Sequence, residues 1–139
     1  MRLVIWLCVL LAGGLVVACE KEAVATKLRR EAAEKIIGKW SVAATHNDYY
    51  APINTLVKSE EQPGTVNDYY DFKKEELVEV NSTSGTRTES YHVWNPYQVM
   101  IGDTSWWIRK LTANEMVLEV DWYYAADNRR FFGRRSLKR

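Results

Sequence analysis

"GKWSVAATH", residues 38–46, is where the chain changes its period. Just upstream lies "EAVATKLRREAAEKII", residues 22–37, in which apolar side chains recur every four positions. Val24, Leu28, Ala32 and Ile36 form one stripe, as on a helix. Lys27 with Glu31, Arg30 with Glu34, and Glu31 with Lys35 stand four apart on the other faces, where opposite charges support helical turns. Gly38 follows the last apolar residue, the place of a helix-ending glycine. From Lys39 onward the period is two. Trp40, Val42, Ala44 and His46 point one way, and Ser41, Ala43 and Thr45 the other, which is the pattern of a strand.

The rest of the chain keeps that period in short pieces. The stretch "NDYYAPINTLVKSEEQPG", residues 47–64, carries Pro52 and Pro63-Gly64 and reads as a long, turn-rich loop. Seven further strands are expected over residues 68–73, 76–82, 86–94, 97–101, 104–111, 115–124 and 129–137. Turn residues separate them, such as Ser84-Gly85, Asn95-Pro96, Gly102-Asp103 and Asp127-Asn128. Eight strands joined by hairpin-length connections predict an all-β, eight-stranded antiparallel up-and-down barrel preceded by a short N-terminal helix. Closure removes exposed edges and leaves an interior that either fills with side chains or holds one small ligand.

The N-terminus predicts an address. Residues 3–18 are almost wholly apolar and follow Arg2. That is the form of a secretory signal peptide, and it is shorter than the roughly 20 apolar residues a membrane span needs. The chain has 19 basic and 18 acidic residues, and losing Arg2 with the leader makes the two equal. A neutral domain argues against nucleic acid as a partner. Losing Cys8 leaves Cys19 as the one cysteine, so no internal disulfide forms and the core alone must hold the domain.

Val16-Val17-Ala18-Cys19 resembles the lipobox of bacterial lipoproteins. The resemblance implies acylation of Cys19, cleavage after Ala18 and anchoring in a membrane of the bacterial envelope, with the outer membrane expected. Two or more acyl chains hold a protein firmly to a bilayer. Glu20-Lys21-Glu22 then forms the start of a solvated tether, and it loosely resembles the surface-export signal of Bacteroidetes lipoproteins. Both the periplasmic and the surface-facing leaflet stay open.

Gly38-Lys39-Trp40 is similar to the G-x-W of the lipocalins, placed as in that family between a leading helix and the first strand. The resemblance implies that Trp40 closes the barrel floor and that an arginine of the last strand packs on its ring. Arg130, Arg134 and Arg135 are the candidates, with Trp40 and Arg134 the preferred pair. It also implies that the loop at residues 48–65 lies as a lid over the open end. "DFKKEELVEV", "YHVW", "WWIRKLTANEMVLEV" and "FFGRR" resemble the lipocalin-like lipoproteins of Bacteroidetes. The divisions expected are a signal peptide at 1–18, a lipid-anchored tether and helix at 19–37, and the barrel at 38–139.

Motifs for catalysis are scarce. There is no G-x-S-x-G, no phosphate-binding loop and no H-E-x-x-H. His46 and His92 have no second ligand at metal spacing, and the carboxylates Asp68, Asp71, Glu75 and Glu76 are not placed as an acid/base pair. No enzyme activity, metal or cofactor is expected. Aromatic residues are the real excess. Trp40, Tyr70, Tyr91 and Trp122, with Tyr49 and Tyr50 at the start of the loop, are the candidate ligand-binding residues if the interior holds a cavity; a fully packed core is the other reading. Trp106 and Trp107 are adjacent, so one of them must face outward. Arg129, Arg130, Arg134 and Arg135 in the tail are expected to pair across strands with Glu119 and Asp121. The function expected is a non-enzymatic, membrane-anchored binding protein for a small apolar or amphipathic molecule. The alternative is an envelope scaffold whose exposed aromatics meet a protein or glycan.

Overall fold

The computed structural model describes residues 22–139; the expected signal peptide and Cys19 lie outside them. Residues 22–36 form helix α1. Nine strands follow: β1 (Gly38–Ala51), β2 (Thr55–Pro63), β3 (Tyr69–Phe72), β4 (Leu77–Ser82), β5 (Gly85–Asn95), β6 (Gln98–Ile101), β7 (Thr104–Leu111), β8 (Glu115–Tyr124) and β9 (Arg129–Lys138). Every pairing is antiparallel. From β3 to β9 each strand pairs with the next, and β9 pairs back onto β1. The result is a closed eight-stranded up-and-down barrel of β1 and β3–β9, with α1 before it. Among the described residues no helix is long and apolar enough to cross a membrane.

The ninth strand corrects the expected lid. β1 does not stop near His46 but runs on to Ala51, and β2 folds back along it, pairing Thr55 with Ala51 and Pro63 with Ala44. The tight turn at Pro52–Asn54 places both Ile53 (φ 64°) and Asn54 (φ 55°) in the left-handed region. That conformation is costly for a β-branched residue. β2 buries no residue, so residues 55–63 lack the apolar alternation that marks a half-buried strand, and the two prolines mark only its limits.

One edge of β1 is therefore shared. Gly38–Ser41 pair with β3, Ala44–Ala51 pair with β2, and the opposite edge pairs with β9 from Ser41 to Tyr50. β3 and β6 are only four residues long, whereas β1, β8 and β9 span ten or more. The barrel is complete near Gly38 and rises on one side only near Tyr50.

The closed end is packed solid. Trp40, Phe72, Val78, Val99, Met116, Leu118 and Leu137 are almost wholly buried, and Ile36 and Ala32 of α1 join them from below. Phe72 meets Tyr91 edge to face at 5.0 Å. Only the last turns of α1 contribute to the core. Val24 and Leu28, on the same stripe, stay exposed, so the first half of the helix extends past the barrel.

Trp40 is the keystone of this floor. It is 0% exposed, and its indole Nε1 donates to the Ile36 carbonyl at 2.8 Å. The guanidinium over its ring, 4.0 Å away, belongs to Arg139 and not to Arg134. Arg139 also donates to the Lys35 carbonyl at 3.0 Å and to that of Ile37. A helix end leaves its last carbonyls without partners, and here Trp40 and Arg139 fill three of them. Gly38 holds φ at +116°, and a Cβ there would come within 3.2 Å of the Arg139 guanidinium. The glycine thus serves both the turn out of α1 and the close approach of Arg139. Arg134 lies on the outer wall, donating to Glu119 at 2.8 Å.

Candidate functional site

The open end is a mouth of three adjoining hollows. Along the inner face of β9, Leu137, Arg135, Gly133 and Phe131 succeed one another from floor to rim, by the two-residue period of a strand. A hollow of about 220 Å³ lies above the packed core between Tyr70, Trp106, Val120, Trp122, Phe131 and Arg135, with Arg87 and Glu89 on its β5 side. A second, of about 320 Å³, opens where β1 passes from β3 to β2, among Thr45, Asn47, Tyr70, Arg87 and Arg135. The third and largest, about 590 Å³, lies under the raised strands, lined by Tyr49, Tyr50, Val57, Trp122, Tyr124 and Phe131 with Arg129 and Arg130. Shared residues join them: Tyr70, Arg87 and Arg135 link the first two, and Trp122 and Phe131 link the first to the third.

Phe131 organises the aromatic side. Its ring packs on Tyr49 at 5.2 Å and on Trp122 at 5.6 Å. It leans over Gly133, where an added Cβ would come within 3.0 Å of the ring. A larger residue at 133 would therefore lift the ring into the hollow.

The polar side turns on Arg135. Its Nη1 donates to Asn47 Oδ1 at 2.9 Å and to the Arg134 carbonyl at 3.1 Å, and its guanidinium stands 5.7 Å from the Trp106 ring. Arg87 is bonded to Glu89. Burial pushes the Tyr70 phenol above its ordinary value, against the pull of Arg135 and Arg87, so at neutral pH it is an uncharged hydroxyl beside a cation.

Of the candidate ligand residues, Tyr49, Tyr50, Tyr70 and Trp122 line these hollows. Trp40 and Tyr91 do not: both are buried at the floor, and the Tyr91 hydroxyl donates to the Lys73 carbonyl at 2.8 Å. The strands they sit on are closed there by neighbours on both sides, so their bulk fills the core instead of bounding a space. Sequence reasoning missed Arg135, Asn47, Trp106 and Phe131 as lining residues. The alternation along β9 could have placed Phe131 and Arg135 on one face had the inward face of Leu137 been the starting point. Trp106 is 9% exposed and Trp107 42%, as adjacent strand residues require.

The outer wall carries the expected cross-strand pairs. Glu119, 7% exposed, accepts from Arg109 at 2.6 Å and from Arg134 at 2.8 Å. Arg130 donates to Asp121 at 2.7 Å. Burial pushes the Glu119 carboxyl up, but the two arginines outweigh it and hold the group below the usual carboxylate range. His46 lies 3.0 Å from Asp48, and His92 lies 3.4 Å from Glu76. Among the described residues no three His, Cys, Asp or Glu side chains gather as metal ligands would. No protein-family model matches this chain, and no curated protein or solved structure matches it either.

Proposed function

We propose that this is a lipid-anchored, lipocalin-like binding protein of the bacterial envelope. It takes up a small apolar or amphipathic molecule at the open end of its barrel and catalyses no reaction. The observation that carries the reading is the aromatic hollow above a sealed floor. Ligand sites are concave, mostly apolar and supplied with a few convergent polar groups, and the mouth has that composition in Trp106, Trp122, Phe131, Arg135 and Asn47. Acylation at Cys19 supplies the anchor, and the exposed first half of α1 continues the tether toward it. The outer membrane is the proposed location.

A second reading has its own observation. Ile53 is 91% exposed in a left-handed conformation at the tip of the β1–β2 hairpin, with Leu56, Val57, Tyr123 and Tyr124 exposed at the same end. Exposed apolar residues gathered at one end mark contact surfaces, which suits an envelope scaffold meeting a protein or glycan. Titration of tryptophan fluorescence with a panel of apolar metabolites, amphiphiles and oligosaccharides separates the two. Saturable binding of apolar or amphipathic molecules supports the first reading, and binding of oligosaccharides alone supports the second. Cys19→Ser should move the protein from the membrane to the soluble fraction; unchanged retention would sink the anchor.

A further inference from the structure

We infer that the mouth selects an amphiphile with one anionic head, seated on Arg135, and an apolar tail laid along Trp122 and Phe131. The inference rests on the proposal that the mouth is a ligand site, and it specifies the chemistry of the ligand.

Arg135 differs from its neighbours on β9. Arg129, Arg130 and Arg134 each pair with a carboxylate: Asp127, Asp121 and Glu119. Arg135 faces the interior, is half-buried, and among the described residues has no carboxylate within ion-pair distance. Its Nη1 is engaged by Asn47 and the Arg134 carbonyl, and the Tyr70 hydroxyl beside it is uncharged, a neutral group that supplies no counter-charge. A cation withdrawn from water without a counter-charge is costly to maintain. Asn47 on one side and the Trp106 ring on the other hold the guanidinium fork at the wall shared by the 220 Å³ and 320 Å³ hollows.

That fork matches a group with two oxygens, a carboxylate or a phosphate, which guanidinium binds in a bidentate manner. The charges nearby agree with a single negative head. Arg87 is already matched by Glu89, so the central hollow carries one net positive charge, that of Arg135. The Asp68 carboxylate, at the edge of the neighbouring hollow, accepts from the Thr65 amide at 2.8 Å. From Arg135 the wall turns apolar through Trp122 and Phe131 into the 590 Å³ hollow. A neutral apolar ligand would leave the fork unmet, and a small polar anion would leave the aromatic wall bare.

The test uses the full chain carrying Cys19→Ser, with decanoate, decyl phosphate and decanol titrated against tryptophan fluorescence. At least one of the two anions should bind about tenfold or more tighter than decanol, the scale of charge-assisted hydrogen bonds, and which anion does so identifies the head. Arg135→Gln should remove that preference, with the ratio of anion to decanol affinity falling to about one, and its urea midpoint reports that the variant is folded. Arg135→Lys keeps the charge but loses the fork, and should fall between the two. The inference is overturned if decanol binds as tightly as both anions, or if either variant discriminates as well as the parent chain; decanol binding would then leave the mouth standing as a ligand site. If none of the three binds, the proposed function falls with it.

Discussion

The two ends of this barrel are built from the same strands and the same kinds of residue, yet they do opposite things with them. At the Gly38 end, Trp40, Phe72 and Tyr91 meet walls on every side and vanish into a core. At the Tyr50 end, Tyr49 and Trp122 each pack against Phe131 but have no wall opposite, because β3 and β6 stop after four residues. An aromatic residue in a barrel is therefore not a pocket residue or a core residue by type. Strand length across from it decides which it becomes. The ends differ in their arginines too. Arg139 below is spent on Trp40 and the last carbonyls of α1, while Arg135 above stands at the wall of two hollows.

Five substitutions, with Arg134→Ala as a control, probe this contrast in order of the effect expected. Trp40→Ala should lower the unfolding free energy by about 3–5 kcal/mol, as for large aromatic truncations in a core, read from urea denaturation. A loss below about 1 kcal/mol would mean that the floor is not the keystone. Gly38→Val forces a branched side chain to a φ of +116° against Arg139, at a cost of roughly 1–3 kcal/mol; an unchanged urea midpoint would contradict the close approach. Arg139→Ala should cost about 1–2 kcal/mol through the lost cation–π contact and uncapped carbonyls, whereas Arg134→Ala should leave Trp40 fluorescence as it is.

Glu119→Gln tests the outer wall between the two ends. The folded carboxyl lies below its ordinary value because the hydrogen bonds from Arg109 and Arg134 outweigh the upward push of burial. Its contribution is therefore present above the ordinary carboxylate range and is lost as pH falls through the lower, folded value. At pH 7 the variant should be about 1 kcal/mol less stable, and the gap from the parent should close as pH drops below about 4. A gap that widens in acid would reverse the assignment. Trp122→Ala should be the mildest for stability, under about 1 kcal/mol, since the ring is already 40% exposed. It should nonetheless weaken amphiphile binding about tenfold or more, and intact binding would take the ligand site away from the mouth.

Much of the barrel was legible in the sequence because its strands are half-buried. The alternation of Met116, Leu118, Val120 and Trp122, and the turns between strands, define each element locally. β2 was not legible, since it buries nothing and its pairing with β1 is set by the hairpin turn. The Trp40 partner was mistaken for the same kind of reason. Arg134 and Arg139 differ by five residues, an odd number, so they project to opposite faces, and it is Arg139 that has the parity of the inward Gly133, Arg135 and Leu137. Trp122 and Tyr70, picked out as aromatic residues on strands, line the hollows, whereas Trp40 and Tyr91, picked out on the same ground, fill the floor. Arg135 was set among surface pairs with the other arginines of the tail, and its register opposite Thr45 and Leu118, on the same face as Leu137, brings it inside.

The contrast between floor and mouth is tested most directly by following the indole N–H resonances of Trp40, Trp106 and Trp122 while decanol is titrated into the chain. Trp106 and Trp122 should shift together and saturate, and Trp40, buried and bonded to Ile36, should stay where it is. Movement of Trp40 with the others, or shifts confined to Trp94 and Trp107 on the exposed surface, would contradict a sealed floor beneath a binding mouth.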